Sequence, residues 1–182
     1  MTTAGQPEFR KATAADIPAL HQLIAASSRA LSRADYSDAQ IEAALEGAWG
    51  VDSQLIADET YHVAVFEGAL VACGGWSFRG TLFGGDAQPG RVADALDPRV
   101  DIARIRAFFV HPSWARRGLG RRLLDLCESE ARARGFQSAE LVATLPGVRL
   151  YGAYGYESQG AREYPLRDGS TITFIPMRKA PL

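Results

Sequence analysis

Three hydrophobic spacings succeed one another along the chain. The opening stretch "EFRKAT" (8–13) is a short mixed apolar and polar start and reads as an edge strand. From Asp16, a good N-cap, Ile17, Leu20, Ile24 and Leu31 recur at the helical period and predict a first amphipathic helix. In "SDAQIEAALEGAW", Ser37 and Gln40 stand as a capping box, and Ile41, Ala44, Leu45 and Ala48 share one face of a second helix. The period then becomes two. In "YHVAVFEGALVACGGWSF" (61–78), Val63, Val65, Leu70 and Val71 flank Glu67-Gly68, the pattern of a β-hairpin. The Cys-Gly-Gly-Trp run (73–76) predicts a bulge or a close backbone approach.

Residues 80–99 hold four glycines and two prolines without steady periodicity, and read as a long excursion between strands. "ARIRAFFV" (103–110) is the clearest strand, and Pro112 stops it. A helix follows over about 117–134, with Leu119, Leu123, Leu126, Cys127 and Ala131 as its inner stripe. Glu128–Arg132 and Glu130–Arg134 form outer i,i+4 pairs, and Gly135 ends the helix. "AELVATL" (139–145) predicts another strand and "GVRLYGAYG" a short helix. A final hairpin turns on Asp168-Gly169. The order β-αα-βββ-α-β-α-ββ gives one α/β domain over residues 1–182 with a mixed sheet.

Composition narrows the function classes. Apolar and charged fractions of 47% and 23% are globular. A net charge of −1 argues against bulk binding of nucleic acid, so no nucleic-acid partner is expected. No apolar run approaches a membrane span, and no basic-plus-apolar leader is visible. Cys73 and Cys127 read as buried free thiols. The expected location is the cytoplasm, with no membrane partner. His21, His62 and His111 lack metal-ligand spacing, and no metal is expected.

One stretch breaks the even charge. "VHPSWARRGLGRRLL" (110–124) sets Arg116, Arg117, Arg121 and Arg122 around Gly118-Leu119-Gly120 at a helix start. The first helical N–H groups lack intrahelical partners and sit at the positive end of the helix dipole. An anion can be held there where side chains are absent. The other reading is a tight turn with a solvated basic rim. Neither a P-loop nor a Gly-x-Gly-x-x-Gly fingerprint is present, since position 123 is Leu.

"FFVHPSWARRGLGRRLL", followed some thirty residues later by "LYGAYGYE", resembles the core of the GCN5-related N-acetyltransferases. Val110-His111-Pro112 matches the family's strand end Val-x-Pro. Ala115-Arg116-Arg117-Gly118-Leu119-Gly120 matches its Gln/Arg-x-x-Gly-x-Gly/Ala loop, departing at Ala115. The resemblance is specific over about 103–157 and consistent in element order over about 55–178. It implies a mixed, mostly antiparallel sheet flanked by helices, and acetyl-CoA as acyl donor. It also implies that the backbone of Phe108, Phe109 and Val110 binds the pantetheine arm. Arg116, Arg117, Gly118, Leu119, Gly120 and Arg121 would then wrap the pyrophosphate. A splay between the 103–110 and 139–145 strands would admit the acyl arm, and helices over about 14–50 would wall the acceptor side.

Tyr151 stands four residues before Gly155, where the family's tyrosine commonly acts as general acid at the coenzyme sulfur. A phenol of pKa about 10 can donate to a thiolate whose thiol lies near 8.5. The alternative for Tyr151 is aromatic packing beside Tyr154 and Tyr156, themselves read as core or rim. The family's acidic residue on the central strand is missing. Arg104 and Arg106 stand there instead, either to attract an acidic group of the substrate or as solvent-facing strand residues. A water relay is therefore favoured over a side-chain base. Trp76 and Phe78 read as core, with an acceptor pocket as the alternative.

The expected reaction is acetyl transfer to a primary amine of a small molecule or peptide. The alternatives are a non-catalytic acyl-CoA-binding module and a transferase for a larger acyl donor, with Phe108 or Trp76 gating the acyl chain. Acceptor recognition would lie in residues 14–50 and 79–101, which carry no decodable pattern. Family domains often pair into homodimers, a partner compatible with this chain but not dictated by it.

Overall fold

Glu67 and Gly68 both take left-handed backbone (φ +49° and +80°), the geometry of a two-residue hairpin turn. They join strand β2 (Tyr61–Phe66) to β3 (Ala69–Ser77), as the sequence predicts. The computed structural model describes residues 5–182. Around this hairpin a mixed, mostly antiparallel sheet is laid out. Strand β1 (Glu8–Lys11) pairs on the outer side of β2, and β4 (Ala103–Val110) on the far side of β3. Strand β5 (Ala139–Ala143) runs parallel to β4, the one parallel pairing among the described residues. Beyond it lie β8 (Thr171–Lys179), the two-residue β6 (Glu157–Ser158) and β7 (Arg162–Pro165), which pairs β8.

Among the described residues five helices flank the sheet: α1 (Ile17–Leu31), α2 (Asp38–Leu45), α3 (Ser53–Ala57), α4 (Leu119–Ala133) and α5 (Val148–Ala153). None of these is long and apolar enough to cross a membrane. The start of α1 differs from expectation. Thr13 precedes a short 3-10 turn, and Asp16 reaches back to the Thr13 amide at 2.8 Å instead of capping the helix itself. The capping box of α2 forms as read, with Gln40 N–H donating to Ser37 Oγ and Ser37 N–H to Gln40 Oε1, both at 3.1 Å. The five-residue α3 is too short for a periodic signal, and Asp52 caps it.

Helix α4 packs through Leu119, Leu123, Leu124, Cys127 and Ala131, so Leu124 takes the buried place that the period assigns to Leu126. Glu128 is buried and pairs with Lys179 at 2.7 Å and Arg132 at 3.6 Å. Glu130 accepts from the Trp76 indole N–H at 2.8 Å and pairs with Lys11. Arg134 lies over the Phe78 ring at 3.7 Å. The expected Glu130–Arg134 pair is thus replaced by tertiary contacts of each residue. Trp76 is core.

The feature that shapes the site is a bulge. Across β3 and β4, Cys73 faces Phe109 and Gly75 faces Arg106, so Gly74 stands against two residues. Ala107, one of the two, sits at φ +57°. Its carbonyl is met by the Tyr61 hydroxyl at 3.4 Å and the Cys73 thiol at 3.6 Å. A bulged strand bends. Pairing of β4 with β5 accordingly stops after Ala103–Ala139 and Arg104–Glu140, and the two strands part. Gly74 is required on the inside of this bend, because a Cβ there would lie 2.8–2.9 Å from the Phe108 ring. Replacing it by Ala should lower stability by about 1–3 kcal/mol through overpacking. A denaturant midpoint equal to the wild type would contradict this.

Candidate active site

The parting of β4 and β5 opens two connected spaces. The larger is a cleft of about 550 Å³. Ser27, Ser28 and Leu31 of α1 form one wall, and Thr144, Leu150 and Tyr151 the other. Phe108, Phe109 and Val110 form its floor, and the turn before α4 closes one end. The smaller is an inner pocket of about 80 Å³ lined by Trp49, Phe83, Arg106 and Phe174 among others. Phe108, Phe109, Thr144, Tyr151 and Trp49 line both.

The turn is wound before the helix begins. Arg116 (φ +62°) and Gly118 (φ +81°) are both left-handed, so α4 starts at Leu119 and not near Arg117 as periodicity predicts. The amides of Leu119, Gly120 and Arg121 are left without intrahelical acceptors at the positive helix end. A Cβ at Gly120 would come within 3.0 Å of Leu150, so this glycine lets α5 approach. Space around Gly118 is open, and its requirement is the positive φ alone.

The four arginines divide in pairs. Arg116 and Arg121 line the cleft. Arg117 stacks over Trp114 at 4.8 Å and Arg122 over Phe9 at 4.4 Å, both lining a separate groove. The side chain of Arg117 is therefore not brought to the cleft with the other predicted residues.

On the cleft floor the β4 edge beyond Arg104 has no strand partner on the β5 side. The Val110 amide donates to Ser27 Oγ at 3.2 Å, and the Ser28 hydroxyl is buried with no partner. Both serines continue the α1 stripe of Leu20, Leu23 and Ile24 at helical spacing, which an apolar count overlooks. Tyr151 is buried, with its ring edge-on to Phe108 at 6.1 Å and to Tyr156 at 5.9 Å. Burial holds its phenol well above the ordinary value, so it keeps its proton at neutral pH.

A family model described as the acetyltransferase (GNAT) family matches residues 18–156. The chain belongs to that family. No curated protein matches it closely enough to count as a relative. Solved structures of GNAT proteins share its fold. A GCN5-related N-acetyltransferase from Rhodopseudomonas palustris is 20% identical, with 99% of each chain covered and a TM-score of 0.70. The PaiA N-acetyltransferase of Thermoplasma acidophilum, solved with coenzyme A, is 15% identical (97% of this chain, 99% of that one, TM-score 0.66). The yncA protein of Salmonella typhimurium, solved with acetyl-CoA, is 17% identical (97% and 94%, TM-score 0.61).

In this GNAT chain the central-strand arginines are not solvent-facing. Arg104 pairs with Glu140 on β5. Arg106 lies 2.7 Å from Asp52, with both side chains almost fully buried, and donates to the Gly84 carbonyl at 2.6 Å. Burial lowers the Arg106 guanidinium to about 10, opposed by Asp52, so it stays charged at neutral pH. Among the described residues, no carboxylate or imidazole lines the cleft or the inner pocket, and no group of three His, Cys, Asp or Glu side chains could hold a metal ion. Both cysteines are buried, and burial pushes the Cys73 thiol up to about 12. Neither is a ready nucleophile.

The turn makes a separable prediction. Gly118→Ala meets no steric contact but must hold a left-handed backbone, costing about 1–2 kcal/mol. Gly118→Asn should cost less, because Asn tolerates that conformation. Thermal unfolding of the two variants checks this, and equal losses would contradict it.

Proposed function

We propose that this GNAT chain transfers an acetyl group from acetyl-CoA to a primary amine of a small molecule or peptide. The observation that carries the reading is the position of Tyr151. It stands where a cleft beginning at an arginine-flanked helix N-terminus meets a smaller inner pocket. The residues present suit the coenzyme. The free amides of 119–121 with Arg116 and Arg121 suit a pyrophosphate, Arg117 contributing through backbone alone. The unpaired β4 edge at Phe108–Val110 suits the amides of a pantetheine arm. Ser27, bound to Val110 N–H, and the orphaned Ser28 hydroxyl give that arm further polar partners. Two structures of this fold, solved with coenzyme A and with acetyl-CoA, support the same donor.

When bound, acetyl-CoA supplies a thioester carbonyl for attack by a neutral amine. Tyr151 keeps its phenolic proton and donates it, or a hydrogen bond, toward the thiolate as the carbon–sulfur bond breaks. An acceptor ammonium with a pKa near 10.4 must lose its proton first. Because neither space offers a carboxylate or imidazole, that proton leaves through water. The helices over 14–50 and the excursion over 79–101 form the acceptor side, through Trp49 and Phe83.

Two measurements test the reading. Tyr151→Phe should lower turnover about 10²–10⁴-fold while acetyl-CoA affinity is unchanged. A rate within twofold of wild type would reduce Tyr151 to packing. The pH profile of kcat/KM should climb through neutrality toward the acceptor's own pKa. An inflection near 6.5 that moves with a histidine substitution would contradict the water route.

A further inference from the structure

Arg106 is the strongest polar group of the inner pocket, and the reaction as proposed makes no use of it. The residue is 5% exposed. Its Nη2 donates to the Gly84 carbonyl at 2.6 Å and lies 2.7 Å from Asp52 Oδ2. Yet that oxygen receives no aligned hydrogen bond, and Arg106 Nε is buried with no partner at all. The Asp52 carboxylate is divided. Its Oδ1 accepts from Arg91 Nη2 at 2.7 Å and from the Gln54 amide at 3.2 Å. One buried carboxylate thus faces two guanidiniums. Asp86, a further acid of this neighbourhood, is exposed and accepts from the Ser53 amide at 3.0 Å.

A guanidinium that serves only as a structural counter-ion closes its fork on the carboxylate, where two parallel bonds gain most. This one lines a pocket whose other residues include Trp49, Phe83, Phe108, Thr144, Tyr151 and Phe174, and its fork is not closed on Asp52. A buried guanidinium whose donors are only partly matched is costly unless a ligand completes the set.

We infer that Arg106 binds a carboxylate of the acceptor, so the acceptor is a primary amine with a carboxylate close by, an amino acid or a molecule built like one. The inference rests on the transferase reading above. The pocket, about 80 Å³, is small. Tyr151 and Arg106 both line it, so amine and carboxylate are separated by few atoms. Trp49 and Gly50 also line an outer groove of about 330 Å³ beside α1, which gives the rest of the acceptor an exit. Gly85 lets the excursion pack close against this passage: a Cβ there would lie 2.7 Å from the Gly50 backbone.

The test measures thiol release from acetyl-CoA with a panel of the twenty common amino acids. Each is matched with the amine lacking its carboxylate and with its primary amide. At least one free amino acid should be turned over with kcat/KM about 10²-fold or more above both matched compounds, since those offer Arg106 no carboxylate. Matched compounds served equally well would overturn the inference. So would failure of every free amino acid on protein that binds acetyl-CoA in a parallel titration. Protein that does not bind acetyl-CoA would overturn the transferase reading, and this inference with it. The double variant Asp52→Asn/Arg106→Gln removes both buried charges, and its fold is checked by circular dichroism. It should lose the preference for the free acid over its amide while acetyl-CoA affinity stays within twofold. A retained preference would overturn the assignment to Arg106.

Discussion

The whole site depends on one extra residue in β4. Ala107 in left-handed backbone gives the strand one residue too many against Gly74, and β4 bends away from β5 after two paired positions. That bend leaves a strand edge unpaired, opens the cleft and the inner pocket, and sets Tyr151 where they meet. It is held from behind by buried groups whose role is structural. Tyr61 and Cys73 satisfy the bulge carbonyl, and the glycine opposite makes room for the Phe108 ring. A regular ladder would carry its hydrogen bonds straight through the place where a ligand is needed.

A second constraint fixes the inner-pocket end. The excursion over 80–99 has no helix or strand of its own, yet it is tied down at several points. Arg91 donates to the carbonyls of Gly84 and Gly85 at 3.0 Å each, Gly85 N–H reaches Gly47 O at 3.1 Å, and Asp86 N–H reaches Val51 O at 2.9 Å. Asp52 organises these contacts by drawing Arg91 and Arg106 toward one buried carboxylate. Charges buried this deeply are retained only where they are paired or put to use. The same cluster both shapes the pocket and gives it polarity.

Much of this was legible in the sequence. The helical periods, the Glu67-Gly68 turn and the "ARIRAFFV" strand foretold the elements, and the Cys-Gly-Gly-Trp run foretold the bulge, because each rests on local backbone chemistry. What escaped was tertiary. Nothing local distinguishes Leu124 from Leu126 as the buried neighbour, since both fit a helical stripe. Glu130 prefers the Trp76 indole and Lys11 to the i,i+4 partner that its spacing offers. The division of the four arginines follows from aromatic rings at Phe9 and Trp114, one of them far away in sequence. The pairing of Arg106 with Asp52 joins residues fifty-four positions apart, so no window could reveal that this strand arginine is buried. Ser27 and Ser28 were within reach, for they continue the α1 stripe in polar form.

We propose that the bend in β4 and the turn before α4 together make a coenzyme site. Calorimetric titration of the protein with acetyl-CoA, with acetyl phosphate as control, tests this. Saturable binding of acetyl-CoA and none of acetyl phosphate is expected. Absence of acetyl-CoA binding by folded protein would contradict it, and would leave the Gly118-Leu119-Gly120 turn and the open strand edge as features of the fold alone.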